Sequence, residues 1–396
     1  MIWPLRAKVL LPSRIVLHVG APKCGSSALQ AALSARPILA LPDGGQMCYT
    51  ARGSGLRNEV LTGPRLQQAA EAAVHGYLNW PGRTREVSPP RYHAALDRAV
   101  RGTEGAPPML SNEGWIGRAT EFATHLPQWF DGRTRVDVFA AARPPLEWLN
   151  AAYWQWGVWT GQGIDDWLER QVMPYRLGSD LEAWAALPGV RLHLALTPDV
   201  VADFAERFGV ALPADPTRRN AALPAAMVGF LIRNRRFRRN AHDSAVDFVL
   251  QRWCRPEVAP ELWAQKLWAL GPQHVQALRG PLRAEVDRLM ALVPEEEVEE
   301  ALYLRPGWRR EAPYHSLLRA PQARLHDPEE LVRLHHLLCD SAALAAQAAG
   351  RRLPPLPPPP GVTGPHGPRD APVARVLDVL LEMDVAWRKH RLAQSA

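Results

Sequence analysis

The residues with the clearest chemical potential form one segment near the N-terminus, Gly20-Ala21-Pro22-Lys23-Cys24-Gly25-Ser26-Ser27. An apolar run with β-branched residues, Ile15-Val16-Leu17, precedes it and an alanine- and leucine-rich stretch follows it, which predicts strand, loop and helix in that order. A glycine-bounded loop at the start of a helix presents backbone N–H groups and partial positive charge to an anion. Lys23 adds a full charge, and Ser26 and Ser27 are able to cap the helix or to bind a phosphate oxygen. The segment therefore predicts an anion-binding site.

The position of the lysine distinguishes this loop from the common nucleotide loop G-x-x-x-x-G-K-[ST], in which the lysine follows the last glycine. Here Lys23 precedes Gly25 by two residues, so its side chain would reach over the loop toward a bridging or leaving oxygen. The alternative is a glycine–proline turn capped by serine, with Lys23 solvated. Lysine is scarce in this chain, because four of its 47 basic residues are lysines, and this scarcity favours a role for Lys23.

Two more charged residues follow predicted strands. Met109–Ser111 is predicted to end a short buried strand, with Glu113 just beyond it, and Val136–Ala142 is predicted to be a central strand that ends at Arg143. In parallel α/β sheets, ligands bind outside the carboxyl ends of the strands, so Lys23, Glu113 and Arg143 are expected at one edge. Glu113 could instead cap a short helix or be solvated, and Arg143 could pair with an acid.

The elements that would position these residues indicate an α/β protein. A fourth strand is predicted over Val190–Leu196, and strands that alternate with helices favour a three-layer α/β/α arrangement with a mostly parallel central sheet. Residues 41–66 are rich in glycine, proline and polar residues, and are predicted to be an irregular surface segment. Helices are predicted over Ser26–Ala35, Pro64–Leu78 and Arg91–Arg101, and another should begin at Pro145.

After residue 250 the sequence no longer shows clear strand patterns, which predicts that the rest of the chain is mainly helical. We expect an α/β domain over residues 1–250, a helical extension over 251–350, a proline-rich linker over 351–372 and a C-terminal helix over 373–396. The extension contains the helical patterns Glu257–Val293 and Pro328–Gln347, separated by the acidic run Glu295–Glu300. The last helix is interpreted as a docking or dimer helix, which leaves a homo-oligomer open.

Composition narrows the functional classes. The 396 residues are 47% hydrophobic, enough for a large core, and the formal charge of +7 suits anionic ligands without indicating nucleic acid. The four cysteines are far apart, so they predict neither a metal site nor a disulfide framework, and a reducing cytoplasm fits best. No stretch approaches the roughly 18 apolar residues of a membrane span, and no integral membrane segment is predicted.

The loop pattern G-x-P-K-x-G-[ST]-[ST] resembles the 5′-phosphosulfate loop of sulfotransferases that use 3′-phosphoadenosine 5′-phosphosulfate (PAPS). In the bacterial and heparan-modifying members, a strand that ends in an acidic residue follows this loop, and Ser111-Asn112-Glu113 resembles that stretch. The resemblance covers residues 14–240. It implies the P-loop NTPase-like sulfotransferase fold for these residues, to which the sequence pattern adds a helical C-terminal region, and no metal ion is needed.

The family then has a strand ending in R-x-P, with a serine eight residues after the arginine, followed by tyrosine and glutamine. The arginine and the serine bind the 3′-phosphate of PAPS. Arg143, Pro145, Tyr153 and Gln155 are in register with this pattern, but Ala151 stands where the serine is expected. Losing one hydroxyl bond to a charged phosphate costs about 1.5–3 kcal/mol if nothing replaces it.

The resemblance implies transfer of a sulfuryl group from PAPS to a hydroxyl or amine on a small-molecule or glycan acceptor. Lys23 would stabilise the leaving phosphate, and Glu113, or a histidine, would take the proton of the acceptor. Asn150, next to Ala151, could donate in place of the serine, although it points about 100° away around the helix. The predicted cofactor-binding residues are Pro22, Lys23, Cys24, Gly25, Ser26, Ser27, Arg143 and Asn150.

Other functions stay open from the sequence. Ala151 favours a catalytically degenerate sulfotransferase-like protein that binds a partner through its helical and proline-rich C-terminal third. An ATP- or GTP-using kinase is disfavoured by the position of Lys23. The arginine-rich run Arg233–Arg239 could receive an acidic acceptor or the 3′-phosphate, but a charge run is more often a solvated helix face.

Overall fold

The computed structural model of the protein describes residues 10–53, 59–103, 105–170, 175–196, 198–213, 222–320, 324–363 and 366–395. Residues 54–58 of the predicted irregular segment and residues 364–365 of the predicted linker lie outside this description, as does residue 396 of the predicted C-terminal helix.

Strands and helices alternate in the first half of the chain, and helices follow in the second half. The strands are β1 (Arg14–Gly20), β2 (Ile38–Ala40), β3 (Gln46–Tyr49), β4 (Ala51–Arg52), β5 (Val60–Leu61), β6 (Pro108–Ser111), β7 (Arg135–Ala141) and β8 (Val190–Ala195). The helices up to residue 253 are α1 (Ser26–Ala35), α2 (Gly63–Ala72), α3 (Pro89–Arg101), α4 (Ala119–His125), α5 (Pro145–Gln155), α6 (Ile164–Glu169), α7 (Leu177–Ala185), α8 (Val200–Phe208), α9 (Ala225–Arg233) and α10 (Ala245–Trp253). The later helices are α11 (Pro260–Trp263), α12 (Pro272–Met290), α13 (Glu295–Leu304), α14 (His315–Arg319), α15 (Pro328–Ala348) and α16 (His366–Ser395).

The main sheet has the strand order β2-β3-β6-β1-β7-β8. β1 is parallel to both of its neighbours, with Leu17 opposite Leu110 of β6 on one side and Val138 of β7 on the other. β3 pairs parallel with β6, and β8 pairs parallel with β7. β2 pairs antiparallel with β3 at one edge of the sheet. The protein is therefore α/β with a mostly parallel six-stranded sheet, consistent with the predicted three-layer α/β/α arrangement.

The four predicted strands are confirmed as β1, β6, β7 and β8. Ile15, Val16 and Leu17 are consecutive in β1 and completely buried. Successive side chains of a strand point to opposite faces, so both faces of β1 are covered, as is typical of central parallel strands. This burial is why β1 is visible in the sequence as a continuous apolar run.

The prediction that residues 41–66 are irregular is wrong, because β3 and β4 lie within them and β5 follows before α2. Met47 and Tyr49 of β3 are completely buried, since β3 pairs with β6 inside the sheet. Strands of two to four residues are too short to show a clear alternation, so the glycine and proline content dominates the local pattern.

The predicted helix boundaries agree at both ends of α1, at the end of α3 and at the starts of α5 and α15, and they differ elsewhere. The acidic run Glu295–Glu300 does not separate helices but forms the first part of α13, where carboxylates suit a helix N-terminus. The predicted helix Glu257–Val293 is divided into α11 and α12, and α2 ends at Ala72 before the predicted Leu78.

Two buried apolar clusters hold the described elements together. The first surrounds the main sheet and includes side chains of α12 and α13, such as Val286 and Ala301. The second lies among α9, α10, α15 and α16, and Phe230, Leu334 and Leu380 belong to it. Residues 251–350 thus contribute to both clusters, while the division of the chain into domains stays a prediction.

The C-terminal segment packs against the rest of the chain. Residues 351–361 have no regular secondary structure, and Leu353 and Leu356 are partly buried against the second cluster. His335 Nε2 of α15 lies 3.1 Å from the carbonyl oxygen of Pro357. α16 then begins at residue 366, inside the predicted linker, and packs along α15.

The arginines of the run Arg233–Arg239 are engaged within the chain. Arg233 and Arg236 pair with Asp370 and Asp378 of α16. The other partners are Trp159 for Arg235, Asp247 for Arg238 and Asp243 for Arg239. The run therefore joins helices to one another, which favours a structural role over a solvated face. Among the helices in the described ranges, none is both long and apolar enough to span a lipid bilayer.

Candidate functional site

The loop between β1 and α1 has a backbone path that depends on glycine. Gly20 and Gly25 have φ angles of 110° and 94°, and Lys23 between them has a φ angle of 63°. A Cβ atom at Gly20 would lie 2.4 Å from the carbonyl oxygen of Glu113. A side chain is thereby excluded at Gly20, and glycine allows the loop to touch the backbone that follows β6.

The start of α1 leaves backbone donors available. Gly25 is the N-cap residue without a side-chain cap, and within the described ranges the N–H groups of Ser26 and Ser27 have no hydrogen-bond acceptor. The buried Ser26 Oγ donates to the carbonyl oxygen of Ala21 at 3.1 Å and braces the loop. Ser27 Oγ lies 3.3 Å from the hydroxyl oxygen of Tyr77. Unpaired N–H groups at a helix N-terminus are suited to bind an anion.

Pro22 and Cys24 shape the loop. Trp148 Nε1 donates to the carbonyl oxygen of Pro22 at 2.8 Å, which holds the loop against α5. Burial raises the pKa of the Cys24 thiol to about 12, so this thiol is neutral near pH 7 and not a nucleophile.

Lys23 has a neutral hydrogen-bond partner and charged neighbours. Its Nζ donates to Gln155 Oε1 at 2.9 Å. Burial lowers the pKa of Lys23, and the carboxylates of Glu113 and Asp247 act in the opposite direction. The structure therefore places Lys23 and Glu113 close enough for their charges to interact, as the sequence predicts.

Glu113 lies directly after β6 and begins the short 3-10 turn Glu113–Arg118. Asn112, not Glu113, caps this turn, because Asn112 Oδ1 accepts from the Gly114 N–H at 2.7 Å. Burial raises the pKa of Glu113, and the charge of Lys23 opposes this more weakly. The carboxylate has no hydrogen-bond donor among the described residues, which leaves it available as a base.

Arg143 lies after β7, at the same edge of the sheet. Its side chain is 36% exposed, and its Nε is 3.8 Å from Glu147 Oε2. Glu147 has closer partners, because Arg305 pairs with it and the Tyr314 hydroxyl donates to it at 2.9 Å. The Arg143 guanidinium makes no hydrogen bond to any side chain or backbone group in the described ranges, so it is available to pair with an anion.

Asn150 is occupied by a structural contact. Its Nδ2 donates to the carbonyl oxygen of Leu267 at 2.9 Å, and its Oδ1 accepts from the N–H of Ala269 at 2.9 Å. Both polar atoms of the amide thus anchor the segment before α12. The prediction that Asn150 replaces a phosphate-binding serine finds no support in this arrangement.

The loop, Glu113 and Arg143 therefore form a charged site at the carboxyl ends of β1, β6 and β7. Comparisons of the chain with protein-family models, curated proteins and solved structures find no match. The chemistry of the site has to be inferred from its own residues. Within the described parts of the chain, no group of three or more His, Cys, Asp and Glu side chains is arranged to hold a metal ion.

Three residues beside the loop are not singled out as site residues by the sequence: Tyr77, Arg238 and Asp247. Tyr77 contacts Ser27, and burial raises its pKa to about 12. Arg238 belongs to the arginine-rich run, for which the sequence offers ligand binding only as the less favoured alternative to a solvated helix face. Asp247 has no local signal, because it reaches the neighbourhood of Lys23 through the packing of α10.

Proposed function

We propose that the protein is a sulfotransferase with a P-loop NTPase-like fold, which transfers a sulfuryl group from PAPS to a hydroxyl or amine of a small-molecule or glycan acceptor. One observation carries this proposal: the partly buried Lys23 lies close enough to Glu113 and Arg143 for their charges to act on it, and these two residues follow different strands of one mostly parallel sheet.

The residues of the site suit a ligand with two separate phosphate groups. The unpaired N–H groups at the start of α1 and the ammonium of Lys23 fit a 5′-phosphosulfate. The Arg143 guanidinium, with its nearest carboxylate 3.8 Å away, fits a 3′-phosphate. When bound, PAPS would supply an activated sulfuryl group on a phosphate leaving group.

The charged side chains have complementary roles in such a transfer. Lys23 stabilises the negative charge that develops on the leaving oxygen, because a fixed cation in a buried site acts more strongly than one in water. Glu113 accepts the proton of the acceptor, since burial raises its pKa above that of a free glutamate and makes it a stronger base. The structural contact of Gly20 with Glu113 keeps the cation and the base close together.

Ala151 supports the alternative, a catalytically degenerate sulfotransferase-like protein that binds a partner through its C-terminal third. The missing hydroxyl is not replaced by Asn150, whose amide is bound to residues 267–269. The buried side of α16 disfavours the alternative, because Val376, Leu377 and Leu380 already pack inside the chain's own second cluster.

Calorimetry with the desulfated cofactor, 3′-phosphoadenosine 5′-phosphate (PAP), tests the proposal. Wild-type protein should bind PAP, and Lys23→Ala should weaken the binding by about 10- to 100-fold, the effect of losing a charged hydrogen bond of about 1.5–3 kcal/mol. Lys266→Ala is the matched control, because Lys266 is an exposed lysine. The absence of heat with millimolar PAP would overturn the proposal.

Transfer of radiolabelled sulfate from PAPS to a cell extract separates the two functions. Transfer that is lost in Lys23→Ala supports the sulfotransferase. Tight PAP binding without transfer to any extract supports the degenerate binding protein.

A further inference from the structure

Two buried charged residues next to Lys23 have no part in the proposed chemistry, Asp247 on α10 and Arg238 in the turn before it. Their side chains are 10% and 3% exposed, and Arg238 Nη1 donates to Asp247 Oδ2 at 2.5 Å. Asp247 Oδ1 and Arg238 Nε are buried without a hydrogen-bond partner among the described residues. Buried polar atoms without partners cost free energy, so stability alone does not account for this pair.

Arg238 is connected to Lys23 through Gln155. Its Nη2 donates to the carbonyl oxygen of Gln155 at 2.9 Å, and the side chain of Gln155 accepts from Lys23 Nζ at 2.9 Å. The guanidinium also lies over the ring of Trp159, with its Cζ 3.9 Å from the ring centroid. Arg238 therefore holds the backbone of Gln155, and the side chain of Gln155 in turn holds Lys23.

Asp247 acts on Lys23 through space. Its carboxylate favours the charged form of Lys23 more strongly than Arg238 disfavours it. The charged groups that face Lys23 are Glu113 after β6, Arg143 after β7, Asp247 in α10 and Arg238 before α10. Burial favours the neutral amine of Lys23. The carboxylates of Glu113 and Asp247 oppose this effect because they stabilise the ammonium.

We propose that Asp247 and Arg238 are positioning residues for Lys23: the carboxylate of Asp247 keeps Lys23 protonated, and Arg238 keeps it aligned by way of Gln155. The proposal rests on the sulfotransferase function only because Lys23 is the cation of that reaction. The charge and the alignment of Lys23 are properties of the ligand-free protein, so they are measurable whether or not PAPS binds.

Trace acetylation measures the protonation of Lys23. The protein is labelled with a trace of acetic anhydride from mildly acidic to strongly alkaline pH, and the peptide with Lys23 is quantified by mass spectrometry, with Lys266 and Lys389 as internal references. Asp247→Asn should move the midpoint of Lys23 acetylation to lower pH by about one unit, because it removes a neighbouring opposite charge. Asp378→Asn, which removes the exposed partner of Arg236, is the matched control and should leave the midpoint unchanged.

Two further variants separate the effect of the charge at residue 247 from the effect of Arg238 on the alignment of Lys23. Asp247→Glu keeps the negative charge and should restore most of the wild-type midpoint. Arg238→Lys keeps the positive charge but loses the two-pronged contact with Asp247 and Gln155, so Lys23 should acetylate faster at every pH with little change of midpoint. Equal midpoints in wild type and Asp247→Asn would overturn the proposal, whatever the result with PAP.

A second measurement decides the question if Asp247→Asn does not fold. Burial raises the pKa of Asp247 to about 6, so its protonation should produce a second inflection near that pH in the Lys23 reactivity of the protein. The inflection must persist in Glu113→Gln, which removes the other carboxylate that acts on Lys23. A single inflection in Glu113→Gln would overturn the proposal independently.

Discussion

Lys23 Nζ donates a hydrogen bond to Gln155 Oε1 at 2.9 Å, which joins the loop after β1 to the last residue of α5. The partners are 132 residues apart, so the orientation of the lysine depends on the assembled sheet and its helices. Gln155 is neutral and holds an ammonium less strongly than a carboxylate would. An incoming phosphate is therefore able to compete for Lys23, as expected of a residue that binds an anionic ligand.

Glu113→Gln should make the protein more stable at neutral pH. Burial raises the pKa of Glu113 in the folded protein, so its contribution to stability is complete below the unfolded pKa and is lost as the pH rises through the folded pKa. The glutamine variant does not ionise, so its melting temperature should exceed that of the wild type at neutral pH and approach it in acid. Thermal unfolding followed by circular dichroism at the two pH values measures this difference.

The same substitution should reduce sulfuryl transfer by about 10²- to 10⁴-fold, the usual contribution of a general base, while PAP binding is retained. Wild-type activity should fall as the pH drops below the raised pKa of Glu113, because the base is then protonated. Glu299→Gln changes an exposed glutamate and serves as the control. Full activity of Glu113→Gln would exclude Glu113 as the base.

Arg143→Ala should weaken PAP binding by about 10- to 100-fold, because it removes charged hydrogen bonds to the 3′-phosphate. The fold should be little affected, since Glu147 keeps its closer partners Arg305 and Tyr314. Calorimetry with PAP measures the affinity, and Arg133→Ala, at an exposed arginine, is the control. An unchanged affinity would show that Arg143 does not contact the ligand.

Ala151→Ser should tighten PAP binding by about 10-fold or more, because it adds the hydroxyl that the resemblance places beside the 3′-phosphate. Ala151→Cys is a control of similar size with a much weaker donor, and it should bind PAP as the wild type does. Competition calorimetry compares the three proteins. Equal affinities for serine and cysteine would mean that residue 151 is not in register with the family serine.

Asp370→Asn should destabilise the protein far more than Asp378→Asn. Both aspartates lie on α16 and form two-pronged pairs with arginines of the run Arg233–Arg239, but Asp370 is 6% exposed and Asp378 is 37% exposed. Breaking a buried pair costs about 3–5 kcal/mol, whereas an exposed pair contributes about 0–1 kcal/mol. Urea unfolding measures both free energies, and equal losses would contradict this difference in burial.

The sheet is predictable from the sequence where burial is complete. Ile15-Val16-Leu17 and Val138–Ala142 are continuous apolar runs, because strands covered on both faces favour apolar side chains at successive positions. The buried Asp137 interrupts the pattern in β7 and is paired with Arg14. β3 escapes prediction, since its four residues mix polar and apolar types and it becomes a strand only by pairing with β6. The extent of α16 is also missed, because its start lies in a segment whose proline and glycine content resembles a linker.

The sequence by itself determined that Lys23, Glu113 and Arg143 lie near each other, because each follows a strand and parallel strands share one carboxyl edge. Only the tertiary structure decided which side chains hold them. Gln155 is the partner of Lys23, Asn150 is bound to residues 267–269, and Asp247 supplies a second carboxylate to the loop. Contacts between residues more than one hundred positions apart depend on how helices pack, and packing between distant segments leaves no local pattern in the chain.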